Sequence, residues 1–94
     1  MNVLYTKSAR ADIVAIFDYI SRDNENAARQ VVAQIAHAIA RLSQFPQSGR
    51  LGAVKTTREV VVPHIPFIVV YRVMDDTVEI IAVFHVAQNR PRTS

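Results

Sequence analysis

Cysteine is absent from the 94 residues, which removes disulfide frameworks, thiolate metal sites and cysteine nucleophiles and suits a reducing cytoplasm. Glycine occurs twice and proline four times, while half of the residues are hydrophobic. That composition describes a packed globule rather than a disordered segment. No apolar run approaches the ~20 residues that a membrane helix needs. Met1-Asn2-Val3-Leu4-Tyr5-Thr6 has no basic stretch followed by an apolar one, so neither a membrane span nor a secretory leader is expected, and the expected location is the cytoplasm. Gly49 and Gly52 lack the strand, helix and lysine of a phosphate-binding loop, and His64 has no partner at metal-ligand spacing. No nucleotide, metal or other cofactor is expected. The length is that of one domain, spanning 1–94.

Charge of one sign is scarce in the first half and in excess in the second. Lys7, Arg10, Arg22 and Arg29 balance Asp12, Asp18, Asp23 and Glu25 within residues 1–40. Beyond them, Arg41, Arg50, Lys55, Arg58, Arg72, Arg90 and Arg92 outnumber Glu59, Asp75, Asp76 and Glu79, which places the whole formal charge of +3 in the C-terminal half. A field of that sign attracts nucleic acid or an acidic protein; the plainer alternative is a solvated rim with no specific ligand.

Apolar spacing then divides the chain. Residues 3–6 are short and extended, and Ser8 offers an oxygen to cap a following helix. Ala9, Ile13, Ile16, Phe17 and Ile20 fall on one helical face, with Asp12 and Asp18 on the opposite, solvated side. Ser21-Arg22-Asp23-Asn24 interrupts the pattern. From about Asn26, Ala28, Val32, Ile35, Ile39 and Leu42 form a second stripe, so two helices joined this tightly make an antiparallel hairpin. Phe45-Pro46-Gln47-Ser48-Gly49-Arg50-Leu51-Gly52 ends the second helix and opens an irregular loop.

After that loop the period changes. Thr57–Val62, Phe67–Val73 and Val78–His85 are rich in Val, Ile, Tyr and Phe and are separated by short polar or proline-containing links, which predicts a three-stranded antiparallel meander. The fold class is therefore α+β: a short N-terminal strand, a helix hairpin, then the meander. In the last strand, Val78, Ile80, Ala82 and Phe84 are expected on one face and Ile81, Val83 and His85 on the other. One face buries against the hairpin. The other has no element left to cover it, which implies a partner protein.

The ordered set formed by Ser8-Ala9-Arg10-Ala11-Asp12-Ile13, Phe45-Pro46, Gly49-Arg50, Arg58-Glu59-Val60-Val61-Val62, Val69-Val70-Tyr71-Arg72-Val73 and Val78-Glu79-Ile80-Ile81-Ala82-Val83-Phe84-His85 resembles the RelE/ParE toxin superfamily over nearly the whole chain. The resemblance implies a β-α-α-β-β-β arrangement and a bacterial type II toxin held in a hetero-oligomer by an antitoxin whose C-terminal segment wraps it. RelE-like members cut messenger RNA on the ribosome, which requires cationic groups around the scissile phosphate. Where the resemblance places their arginines this chain has Ile68 and Gln88, their two lysines fall near Glu59 and Val61, and no tyrosine follows Tyr71. ParE-like members poison DNA gyrase instead, and His85-Val86-Ala87-Gln88-Asn89-Arg90 is similar to their C-terminal segment. The expected partners are thus a ParD-like antitoxin and the gyrase A subunit, with no catalytic residue in this chain. A ribosome-dependent nuclease using Arg50, Lys55, Arg58 or Arg90 is the enzymatic alternative, and an antitoxin-binding domain without toxicity is the third.

Target contact is expected from Arg50, Arg58, Arg72, His85, Gln88, Asn89 and Arg90, since arginine's fork pairs with phosphate and carboxylate alike. Arg72 also has a structural use, because a strand-interior arginine pairs with a cross-strand acid such as Glu79. Antitoxin contact is expected from Ile13, Phe17, Phe67, Val69, Tyr71, Ile81 and Val83, with Phe67 and Tyr71 serving either as core or as the floor beneath an antitoxin helix.

Overall fold

Seven elements succeed one another along residues 1–88, the part of the chain described by this computed structural model. They are β1 (Asn2–Tyr5), α1 (Lys7–Ser21), α2 (Glu25–Leu42), β2 (Arg50–Leu51), β3 (Arg58–Val61), β4 (Phe67–Met74) and β5 (Thr77–His85). The strands form one sheet in the order β1-β5-β4-β3-β2. β3, β4 and β5 make the expected meander. β1 joins its far side by pairing parallel to β5, with Val3 opposite Val78 and Tyr5 opposite Ile80. The two-residue β2, read from the sequence as irregular loop, pairs antiparallel with β3 through Arg50 and Glu59.

Helix α1 begins two residues earlier than a cap at Ser8 allows. Its cap is Thr6, whose extended backbone lets the hydroxyl accept the Ala9 N–H at 3.1 Å. The same hydroxyl donates to the Ile80 carbonyl at 2.8 Å, so the cap also fixes the helix to β5. Asn24 caps α2 by accepting the Ala27 N–H at 3.0 Å, as the turn residues of that segment suggest. One salt bridge, Glu25 to Arg29 at 2.6 Å, stands on the exposed first turns of α2 and contributes little.

Both helices lie on one side of the sheet. Ala9 of α1 and Ile35, Ala38, Ile39 and Leu42 of α2 pack in one cluster with Phe67, Val69, Tyr71, Val78, Ile80 and Val83. Ile13, Ile16 and Ile20 complete it from its margin, whereas Phe17 stands half-buried beside the cluster. Each large apolar side chain sealed this way contributes about 1.5–3 kcal/mol by leaving water.

The faces of β5 depart from simple alternation. Pairing runs from Phe67↔His85 to Val70↔Ala82 and then jumps to Tyr71↔Ile80, so Ile81 is an extra residue, a β-bulge. The bulge reverses parity: Val78 and Ile80 face the helices before it, and Val83 faces them after it. Ala82 and Phe84 therefore share the outward face with Ile68 and Val70, contrary to the assignment of Ala82 and Phe84 beside Val78 and Ile80. No helix of the described residues lies on that outward face, and its margins expose Leu4, Val61 and Met74. Ile68 is nevertheless tightly packed, so the face is greasy mainly at its rim.

Candidate functional site

Beyond Tyr5 the chain leaves the sheet to become α1, and β5 continues without a strand beside it. Its next edge amide, Val83 N–H, would be an orphan donor. Asp12 of α1 accepts it at 2.9 Å. The expectation of a solvated Asp12 fails for this reason: α1 crosses the open edge of β5 there, and the carboxylate takes the place of a missing strand. Tyr5, at the same junction, is partly buried, and that burial raises its phenol above the ordinary value.

Between α1 and the open ends of β4 and β5 lies a groove of about 450 Å3. Ala15, Ile16, Ile20, Phe67 and Val83 supply its apolar surface; Asp12, Tyr19, His85 and Gln88 are the polar members. Tyr19 is 73% exposed although it is aromatic, and it forms an outer wall. The His85 ring stands edge-on to Phe67, with centroids 5.2 Å apart at 80°.

His85 also organises the turn that leaves β5. Its Nδ1 accepts the Ala87 N–H at 2.9 Å, its own N–H donates to the Gln88 side chain at 2.9 Å, and its carbonyl accepts the Gln88 N–H. Because Nδ1 accepts, the neutral ring carries its proton on Nε2.

The residues expected to touch a target are spread over three places. Arg72 pairs with Glu79 at 2.6 Å across β4 and β5, the structural use foreseen for it. Arg50 reaches Glu59 at 3.3 Å on the sheet edge. Arg58 donates to the Gly49 carbonyl at 2.8 Å and so holds the loop before β2. His85 and Gln88 border the groove. Asn89 and Arg90 lie outside the described residues.

Of the residues expected to meet an antitoxin, Val69, Tyr71 and Val83 belong to the core beneath the helices. Tyr71 is fully engaged there: its hydroxyl accepts the Gly49 N–H at 2.9 Å and donates to the Pro46 carbonyl at 2.8 Å. A partner reaches Val69 or Tyr71 only by lifting the hairpin off the sheet, so these positions are corrected to structural ones. Phe67 and Val83 show an edge to the groove, Ile13 packs on the core margin, Phe17 is half-buried on α1, and Ile81 is the bulge residue. Sequence reasoning missed Asp12 and Tyr19 as groove residues. Tyr19 carried a signal, since a large aromatic stood off the apolar stripe with no core to enter.

Among the described residues, no three His, Cys, Asp or Glu side chains come together, and no helix is long and apolar enough to cross a membrane.

This architecture has relatives. Residues 3–90 match the family described as the ParE toxin of the type II toxin-antitoxin system, parDE. The candidate toxin Y4kP of Sinorhizobium fredii is 41% identical over 90 residues, covering 96% of this chain and 93% of its own length. Toxin RelE2 of Caulobacter vibrioides is 35% identical over 86 residues, covering 92% of this chain and 96% of itself. A chain of a chromosomal ParDE toxin–antitoxin system from P. aeruginosa superposes with a TM-score of 0.83 at 27% identity, over 92% of this chain and 96% of that one. With a match that runs from the first strand past the last, on a sheet and hairpin of the same form, this chain belongs to the ParE toxin family of type II toxin–antitoxin systems.

Proposed function

We propose that this toxin acts by binding DNA gyrase, without chemistry of its own, and is neutralised by a ParD-like antitoxin that anchors in the groove between α1 and the ends of β4 and β5. The observation that carries the first part is the surface where a nuclease would need cations. Ile68 is packed into the outward face of the sheet with Val61 opposite it on β3, Glu59 two residues back along that strand and opposite Val70 is an acid already answered by Arg50, and Gln88 is spent on the His85 turn. A phosphate brought there meets a carboxylate and an apolar wall, which disfavours a phosphorane.

The groove supports the second part. It is concave and mostly apolar, with few polar groups, the form that accepts one large side chain from a peptide. Such an anchor carries most of an interface's energy.

Supercoiling by purified gyrase tests the activity: added toxin is expected to inhibit it or to trap cleaved DNA, and prior addition of antitoxin is expected to restore it. Gyrase that is indifferent over a wide toxin range, together with codon-positioned cuts in ribosome-bound message, assigns the chain to the nuclease reading instead. Ala15→Phe, which fills the groove, is expected to weaken antitoxin capture at least about tenfold.

A further inference from the structure

The edge of the sheet remote from β1 ends in a small ribbon, β2 and β3, whose tip is unusually well fixed. Gly52 N–H donates to the Thr57 carbonyl at 2.8 Å, Thr57 N–H to the Val54 carbonyl at 3.1 Å, and the Thr57 hydroxyl to that same carbonyl at 2.6 Å. Thr56, a β-branched residue, is held at φ 74°, a left-handed conformation that such residues rarely adopt. A Cβ on Gly52 would stand 2.5 Å from the Thr57 hydroxyl oxygen, so the two sides of the ribbon approach as closely as only glycine permits. Strain of this kind persists where the surroundings over-determine it.

What this fixed tip presents is apolar and basic together. Leu51 is 76% and Val54 67% exposed. Exposed Lys55 and Arg50, the latter still 67% exposed while it reaches Glu59, flank them, and the Arg41 guanidinium lies 5.5 Å from the ring centroid of exposed Phe45 at the start of the same connection. From Asn26 to Arg58 the sequence contains no acid at all. None of these residues lines the groove, which sits at the opposite ends of the strands and across the sheet.

We infer that the Arg50–Glu59 ribbon is a second docking surface, and that its occupant is an acidic, amphipathic segment of the protein that the toxin disables. Charge selects carboxylates or phosphates; the two bare aliphatic side chains at the tip select a protein, because a sugar–phosphate surface offers them nothing to cover. The placement favours the target over the antitoxin, since none of the ribbon residues lines the groove in which the antitoxin is proposed to anchor. The inference rests on the reading that the toxin works by binding a protein.

Two double variants test it: Arg50→Glu with Lys55→Glu, and Leu51→Ser with Val54→Ser, beside Arg50→Lys as the conservative control. Each double variant is expected to lose gyrase inhibition and growth arrest on induction by at least about tenfold, while Arg50→Lys keeps them. Antitoxin affinity is expected to stay within about threefold of wild type; the thermal midpoint is expected to be unmoved in the Leu51/Val54 variant, whose side chains are exposed, and to fall by a few degrees at most in the charge variant, which replaces the exposed Arg50–Glu59 pair by two like charges across the ribbon. Unchanged toxicity overturns the inference, as does a parallel loss of antitoxin affinity. So does a result in which only the charge pair matters and a duplex DNA probe is released in step with it, for the ribbon then holds phosphate. Wild-type toxin that arrests growth but spares gyrase refutes the gyrase reading alone, and the ribbon is then judged on growth arrest. A harmless wild-type chain overturns both.

Discussion

Replacing Tyr71 by phenylalanine keeps the buried ring and deletes one oxygen. That oxygen serves two backbone groups, receiving the Gly49 N–H at 2.9 Å and donating to the Pro46 carbonyl at 2.8 Å, and both partners belong to the connection between α2 and β2. Neither group can follow the lost oxygen inward, because the ring fills the space. A buried polar group left unpaired costs about 1–3 kcal/mol. Gly49 is buried and Pro46 only partly so, which sets the expected loss at about 2–4 kcal/mol for the pair. In a domain of this size each kcal/mol moves the midpoint by roughly 4–8 °C, so the variant is expected to melt on the order of 10–30 °C lower. Urea unfolding followed by far-UV circular dichroism measures the loss directly, and the slope against urea is expected to stay constant. Exchange of the Gly49 amide is expected to accelerate as well. A stability within about 0.5 kcal/mol of wild type, with Gly49 still protected, refutes the reasoning.

Three further outcomes follow from the same geometry. Asp12→Ala, which strands the Val83 N–H on the open edge of β5, is expected to lower stability by about 1–3 kcal/mol in chemical denaturation, with Asp12→Asn recovering part of it. Ile80→Ala, under both helices with no exposed surface, is expected to cost about 2–5 kcal/mol by calorimetry or urea titration. The phenol of Tyr5 is raised in the folded state, so its ionisation favours unfolding: the stability it contributes is whole below pH ~10 and is lost as pH rises through the folded value. Tyr5→Phe is expected to flatten that alkaline fall in midpoints measured between about pH 9 and 11.

The helix hairpin and the meander were legible because their signals are local. The stripe through Ala28, Ile35, Ile39 and Leu42 predicts the buried face of α2, and the Arg72–Glu79 pair follows from an arginine set in an apolar strand. What escaped depends on contacts distant in sequence. Thr6 outcompetes Ser8 as the cap because its hydroxyl also bonds Ile80, more than seventy positions away. Asp12 looked solvated because nothing in its own helix announces that a strand edge passes beneath it. The bulge at Ile81 left no mark in a run of Val, Ile and Ala, yet it reassigns every side chain after it. For the candidate site, His85 and Gln88 were expected as target contacts and lie on the border of the groove, while Tyr71 and Val69 were apolar strand residues that the helices claim.

The pairing of β1 with β5 sets the order in which this toxin can become itself. Among the described residues β1 is paired with β5 alone, so on an emerging chain β1 waits for a strand more than seventy positions further on. Until β5 arrives, Val78, Ile80 and Val83 are missing from beneath the hairpin, and the Thr6 hydroxyl has no Ile80 carbonyl to bind. A nascent fragment that stops short of β5 therefore has neither the floor of its core nor the anchor of its first helix, and the native sheet closes only after β5 has been made.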